Sequence, residues 1–254
     1  MTATVSTRNR TAAQHWEAVF SEKIHGDYGQ VHPVHEDDPL FSALHAALEH
    51  FGDIRGKTVL DLGCGSGGAS LFFASRGAKV IATDLSRSAV ANLKEFCRRE
   101  GIRNITALRM PAHEVANLEN LDFVFGSMIL HHIEPFHEFV EHLRAAMPPQ
   151  GRGFFFENNA RSSLMIWFRE HLVGRFGIPK FGDEEEFPLT VAEVDRLREH
   201  FRVGIVYPDF YMLRMIPQYL LHGRLQAQFL ALDHLIARSP KLLEYSYRQY
   251  VLLS

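Results

Sequence analysis

The string Val59–Ser70, VLDLGCGSGGAS, constrains the fold of this chain more than any other. An apolar run ends at Leu62, glycines follow at 63, 65, 67 and 68, and a helix-forming stretch resumes at once. Glycines at such a turn permit positive φ and let a ligand approach the backbone where a Cβ would collide. The helix opening behind them offers free amides to a negatively charged group. Strand, glycine turn and helix in that order belong to an open α/β sheet that binds its ligand at the carboxyl ends of its strands. With 254 residues and 46% hydrophobic content, the chain can cover both faces of such a sheet.

The surrounding sequence keeps the alternation from Lys57 to Glu157. Short runs that are apolar on both faces, as buried parallel strands are, predict strands over Lys57–Leu62, Lys79–Asp84, Asn104–Arg109, Leu121–Gly126 and Gly151–Glu157. Helices are expected between them over Gly67–Arg76, Ser86–Glu100 and Pro135–Ala146. Gly77 and Gly101 end the first two, Pro148 and Pro149 stop the third, and Ser86 suits an N-cap. Residues 1–56 carry helical patterning at Ala12–Phe20 and Leu40–Phe51 and read as an N-terminal cap. After Glu157, helices are expected over Ser162–Phe176 and Thr190–His200, joined by a loop with the acidic run Asp183–Glu186. Phe201–Pro208 and Tyr247–Ser254 read as late strands, with Ile216–Leu243 a helical insertion between them. The expected plan is a Rossmann-like α/β fold: seven mostly parallel strands, helices on both faces, and a helical lid. Residues 57–254 would form the core, with lid insertions at about 158–200 and 213–245.

Gly63, Gly65 and Gly68 also satisfy the dinucleotide pattern G-x-G-x-x-G, so glycines alone do not choose the ligand. The acids narrow the choice. Asp84 closes the second strand 23 positions after Asp61, where a carboxylate can accept from both ribose hydroxyls. Asp61, two residues before Gly63, would repel a nearby pyrophosphate and welcome an ammonium. A ligand with a ribose, an ammonium and no phosphate is S-adenosylmethionine. Asp61-Leu62-Gly63-Cys64-Gly65-Ser66-Gly67, then Asp84, then Phe123–Met128 with Leu130-His131-His132, resembles a class I S-adenosylmethionine-dependent methyltransferase over Lys57–Glu157. The resemblance implies a glycine loop around the methionine part of the donor and a ribose held by the acid after the second strand. It also implies an adenine contact after the third strand and a fourth strand ending beside the transferred methyl. Carried onto this chain, it implicates Asp61, Gly63, Cys64, Gly65, Gly67, Asp84, Leu85, Pro111, Ala112, His113, Ser127 and Met128 in binding the donor, which leaves as S-adenosylhomocysteine. Many members carry Gly-Asp-Ala at the adenine contact, whereas Met110-Pro111-Ala112 stands here, so a backbone carbonyl or His113 is the expected acceptor.

Methyl transfer needs little covalent help, because a sulfonium is already activated and alignment supplies most of the acceleration. A base matters only where the acceptor keeps its proton at neutral pH. His131 and His132 after the fourth strand, and Glu157 ending the fifth, are the catalytic candidates. Asn158 and Arg161 follow at the same mouth, His25, Tyr28 and His32 lie in the N-terminal segment, and Tyr207 and Tyr211 in the aromatic late half; all are candidate acceptor contacts. The late aromatics and methionines suit an apolar pocket, and at helical spacing they suit a core equally. The expected reaction is methylation of a small, apolar or aromatic acceptor, at oxygen before carbon or nitrogen. The resemblance extends to enzymes of natural-product biosynthesis and of quinone and lipid modification. Two other readings stay open: an NAD(P)-dependent oxidoreductase, disfavoured by Asp61, and a donor-binding scaffold without turnover.

Other classes lose ground. Cys64 and Cys97 cannot make a disulfide framework and lack zinc-ligand spacing. His32 and His35 with Glu36, Asp37 and Asp38 have ligand spacing, but Pro33 and the loop composition disfavour a preformed site, and no metal is expected. A formal charge of −3 without a run of Lys or Arg argues against nucleic acid. Phe210–Ala237 is broken by Arg214, Pro217, His222, Arg224 and Asp233, short of the roughly 20 apolar residues of a membrane span. MTATVSTRNR lacks the apolar core of a secretory signal, so a cytoplasmic enzyme is expected, with Ile216–Leu243 apolar enough for a homodimer interface.

Overall fold

The computed structural model describes residues 7–22, 30–175, 187–221 and 223–254. Strands β1 (Thr58–Leu62), β2 (Lys79–Asp84), β3 (Ile105–Arg109), β4 (Phe123–Ser127), β5 (Arg152–Asn158), β6 (Val203–Val206) and β7 (Arg248–Leu253) form one sheet. Their order is β3-β2-β1-β4-β5-β7-β6. The first five run parallel, and β7 lies antiparallel between β5 and β6. The seven-stranded, mostly parallel α/β architecture expected from the sequence is therefore the one formed. The strand order reverses between β1 and β4, which opens the crevice where doubly wound sheets bind ligands.

Around the sheet lie α1 (Thr7–Glu22), α2 (Pro39–Phe51), α3 (Gly68–Ser75), α4 (Arg87–Glu100), α5 (Phe136–Ala146), α6 (Ser163–His171), α7 (Val191–Arg198), α8 (Met215–Leu220), α9 (Gln226–Ile236) and α10 (Pro240–Leu243). Capping explains several starts. Asp38 accepts from Leu40 N at 2.8 Å, Ser86 from Ala89 N at 3.0 Å, and Thr190 with Glu193 forms a capping box on α7. Gly101, at φ 68°, closes α4 in the left-handed conformation that glycine adopts freely.

The strands alternate between two cores. Val59, Phe123, Phe125, Phe154 and Phe156 point to the side of α2, α3 and α4, while Leu60, Leu62, Val124 and Phe155 point to the side of α5 and α7. Phe51 stacks on Phe123 at 4.8 Å between ring centroids, and Phe73 meets Phe125 edge-on at 5.2 Å. This period of two decides where the acids at the strand ends point.

Two expectations for the late half change. Thr190–His200 does not cover the site: α7 belongs to the core, with Val194 and Leu197 buried against the second cluster. The single insertion expected over Ile216–Leu243 is three short helices. Gly223 at φ 79° and Leu225 at φ 65° turn the chain between α8 and α9, and Pro240 opens α10. The acidic run Asp183–Glu186 lies outside the described residues.

Candidate active site

A cleft of about 840 Å³ opens at the carboxyl ends of β1, β2 and β4. Its wall takes Leu62 and Gly63–Ser66 from the glycine turn, Thr83, Asp84 and Leu85 after β2, and Met110–Glu114 after β3. Ser127–Ile129 follow from β4, and His132–Pro135 with Glu138 complete that side. A second pocket of about 440 Å³ between α5 and α7 shares none of these residues.

The turn is built to a narrow tolerance. Gly63 has φ 70°, and a Cβ there would sit 2.8 Å from the Ile129 side chain; Gly67 has φ 82° and would meet Leu93 at 2.7 Å. Both positions need glycine for conformation and for space. Asp84 ties the turn to the next helix: Oδ2 accepts from Gly65 N at 2.9 Å and Oδ1 from Ser86 N at 2.8 Å. Burial pushes the Asp84 carboxyl above the ordinary carboxylate range, against the pull of those amides.

Asp61 stands elsewhere than expected. The alternation of β1 sends its side chain under α3, where it is 2% exposed and accepts from Ser70 Oγ at 2.5 Å. It is one layer behind the cleft wall, not on it, so direct contact with an ammonium is not what the structure shows. Burial pushes its carboxyl up to about 7, the Ser70 hydrogen bond opposing and the Asp84 charge adding to the rise. Gly67 is likewise absent from the wall, whereas Gly63, Cys64 and Gly65 line it.

That displacement has a measurable consequence. A carboxyl that ionises near 3.8 when unfolded but near 7 when folded binds its proton more tightly in the native state. Its contribution to stability is fully present below pH 3.8 and is lost as pH rises towards 7. Asp61→Asn keeps the shape without the charge. Its stability should match the parent near pH 4 and exceed it at pH 8 by on the order of a few kcal/mol, seen as a higher melting temperature. Thermal melts across that range giving a constant offset would contradict this.

The catalytic candidates separate. Glu157 lies on the same face of β5 as Phe155 and is completely buried. Its Oε1 accepts from Ile129 N at 2.9 Å and Leu130 N at 2.7 Å, and its Oε2 accepts from His131 Nδ1 at 2.5 Å. His131 is buried beside it. Neither residue reaches the cleft, which corrects their expected catalytic role: together they fix the turn after β4. Met128, whose φ of 53° is rare for a branchless side chain, is held in that turn and lines the cleft. His132 does line it, edge-on to Trp16 at 6.3 Å.

The expected acceptor contacts fare differently. His25 and Tyr28 lie outside the described residues. His32 stands off the wall, its Nδ1 donating to Pro33 O at 2.9 Å. Asn158 is not part of the wall, and its backbone carbonyl accepts from Leu189 N. Arg161 pairs with Glu244 at 2.9 Å and with the Tyr207 hydroxyl, while Tyr211 is covered by the Arg248 guanidinium at 3.7 Å. Among the described residues the wall has no member after Glu138. His113 Nε2 donates to Pro135 O at 3.0 Å. No group of described residues could hold a metal ion.

The N-terminal cap read over residues 1–56 reaches the cleft through α1, but sequence reasoning did not name the residues of α1 that line it and missed three carboxylates. Ala13, Trp16 and Phe20 line the cleft, and Glu17 pins α1 there by accepting from Ser86 Oγ at 2.8 Å and Ser88 Oγ at 2.7 Å. That latch joins residues some seventy positions apart, so no local pattern announces it. Glu114, Glu134 and Glu138 join Asp84 on the wall, and no described lining residue is Lys or Arg. The cleft therefore suits a cationic ligand and leaves a diphosphate without a counter-charge.

Residues 59–151 match the methyltransferase domain family. Ubiquinone biosynthesis O-methyltransferase of Acinetobacter baumannii strain AYE is 28% identical over 157 residues, 60% of this chain and 65% of that relative, so the match spans just under two thirds of its length. The same-named protein of Sodalis glossinidius is 29% identical over 213 residues, 78% of this chain and 84% of its own. Geranyl diphosphate C-methyltransferase from Streptomyces coelicolor A3(2) has the same fold, with TM-score 0.61 at 15% identity and 98% of both chains covered. Domain match, relatives and sheet topology agree: residues 59–151 carry a methyltransferase domain, and the chain is similar in sequence and fold to S-adenosylmethionine-dependent methyltransferases.

Proposed function

We propose that this protein transfers a methyl group from S-adenosylmethionine to a small, apolar or aromatic acceptor, with oxygen as the receiving atom. The observation that carries the reading is the cleft at the β1–β4 crevice, walled by four carboxylates, aromatic rings and apolar side chains without a cation among its described residues. When bound, the donor supplies a methyl already activated by its sulfonium. Asp84 would hold the ribose from the end of β2 while its amide bonds keep the glycine turn closed beside it. Glu114, beside Pro111 and Ala112, would serve the adenine side in place of the missing aspartate. Trp16 and Phe20 exclude water from the α1 side, and Met128, Ile129 and Ile133 give the acceptor an apolar bed. His132 would take the acceptor's proton on an imidazole nitrogen as the oxygen–carbon bond forms. Relatives named as O-methyltransferases support oxygen as the acceptor atom.

Purified protein given labelled donor and a panel of phenols and hydroxy acids should methylate at least one of them. His132→Ala should then lower kcat about 100-fold while leaving the KM for the donor unchanged. Silence across the panel with donor bound would favour a binding protein without turnover.

A further inference from the structure

We propose that the exposed side chains of α9, α10 and the described residues flanking them, Leu220 and residues 223–245, dock the protein onto an anionic phospholipid bilayer surface. The sequence of α9 is QAQFLALDHLI, yet the one buried residue among its eleven is Asp233. Asp233 accepts from Leu213 N at 2.8 Å, from Arg214 N at 3.1 Å and from Arg214 Nε at 2.8 Å. The helix is thus anchored through its carboxylate, the reverse of an ordinary surface helix that buries its leucines. Leu220, Leu225, Leu232, Leu235, Leu242 and Tyr245 are left 44–58% exposed. Single exposed leucines are ordinary, but a series of them along one short segment marks an interaction surface.

Charge selects the occupant. Arg224, Arg238 and Lys241 are exposed among these side chains. Both acids of the segment are already engaged, Asp233 by Arg214 and Glu244 by Arg161. The face is therefore a local cationic excess on a chain whose net charge is −3. A two-fold contact between copies would set these cations against themselves. An anionic lipid surface instead attracts them and takes up the leucines between them. No helix of the described residues is long and apolar enough to cross a membrane, so the contact is peripheral.

The test uses the whole protein and sedimentation with vesicles, one set of phosphatidylcholine and one of phosphatidylcholine with phosphatidylglycerol. The protein should partition onto the anionic vesicles and release as salt rises. The triple variant Arg224→Glu, Arg238→Glu, Lys241→Glu should weaken partitioning on the order of a hundredfold. The double variant Leu232→Glu, Leu235→Glu should weaken it at least about tenfold. Both should keep the parent's circular dichroism spectrum and melting temperature, since neither touches Asp233. Absence of parent binding to either vesicle, or equal binding to both, overturns the proposal. So does a concentration-dependent dimer in analytical ultracentrifugation that the leucine variant dissolves, which would give the face to a second copy.

Discussion

Glu157→Ala should destabilise the protein by about 3–5 kcal/mol, because it removes one side of a buried, hydrogen-bonded pair. Three donors lose their acceptor at once: Ile129 N, Leu130 N and His131 Nδ1. Leu130 N and His131 Nδ1 lie in the core around Phe155 and Leu130, both fully buried, and Ile129 N lies at its edge. At a few degrees per kcal/mol for a chain of this size, the melting temperature should fall by roughly 6–15 °C. Glu157→Gln keeps a carbonyl oxygen for the two amides and loses only the charge-assisted bond to His131. It should cost less than half as much. Donor affinity should fall along with stability, since the same carboxylate fixes the turn that carries Met128 into the cleft. A Glu157→Ala variant that melts like the parent but has lost all turnover would instead make Glu157 a catalytic residue.

The second large effect is expected at Asp84. Asp84→Ala should weaken binding of S-adenosylhomocysteine on the order of a thousandfold, read by calorimetry. On the proposed ribose contact, two charge-assisted hydrogen bonds of about 1.5–3 kcal/mol each would account for most of this. Loss of the Gly65 and Ser86 anchors adds disorder in the glycine turn. Asp84→Asn retains an acceptor for one anchor and should lose affinity while melting close to the parent, which separates ribose recognition from turn stability. Equal affinity in parent and both variants would remove Asp84 from the donor site.

Much of this architecture was legible beforehand for a simple reason. From β1 to β5 the strands are short apolar runs, β1, β2 and β5 closed by Gly63, Asp84 and Asn158, and the helices between them have local stops such as Gly101 or Pro148. Local chemistry decides these elements, so they can be read locally. The cleft's floor followed, because the glycine turn and Asp84 sit at strand ends whose direction the parallel order dictates. What could not be read was facing. Asp61 and Glu157 both end strands at the correct edge of the sheet, and the pleat turns each of them into a core and away from the cleft. That His132 lines the cleft while Glu157 turns away from it rests on strand register, which composition does not carry. The late half failed for a related reason. Arg161, Tyr207 and Tyr211 are polar residues near the presumed mouth, but long-range partners such as Glu244 and Arg248 draw them off it. Trp16 and Phe20 reach the cleft through the Glu17 latch, again a contact between distant segments.

The four wall carboxylates Asp84, Glu114, Glu134 and Glu138 should together admit a cationic nucleoside with no phosphate. Calorimetric titration of the unmodified protein with S-adenosylhomocysteine and, separately, with NADH tests it most directly. Saturable heat with the first, at one ligand per chain, and none with the second at the same concentrations is the predicted result. Saturable binding of NADH with no heat from S-adenosylhomocysteine would contradict it.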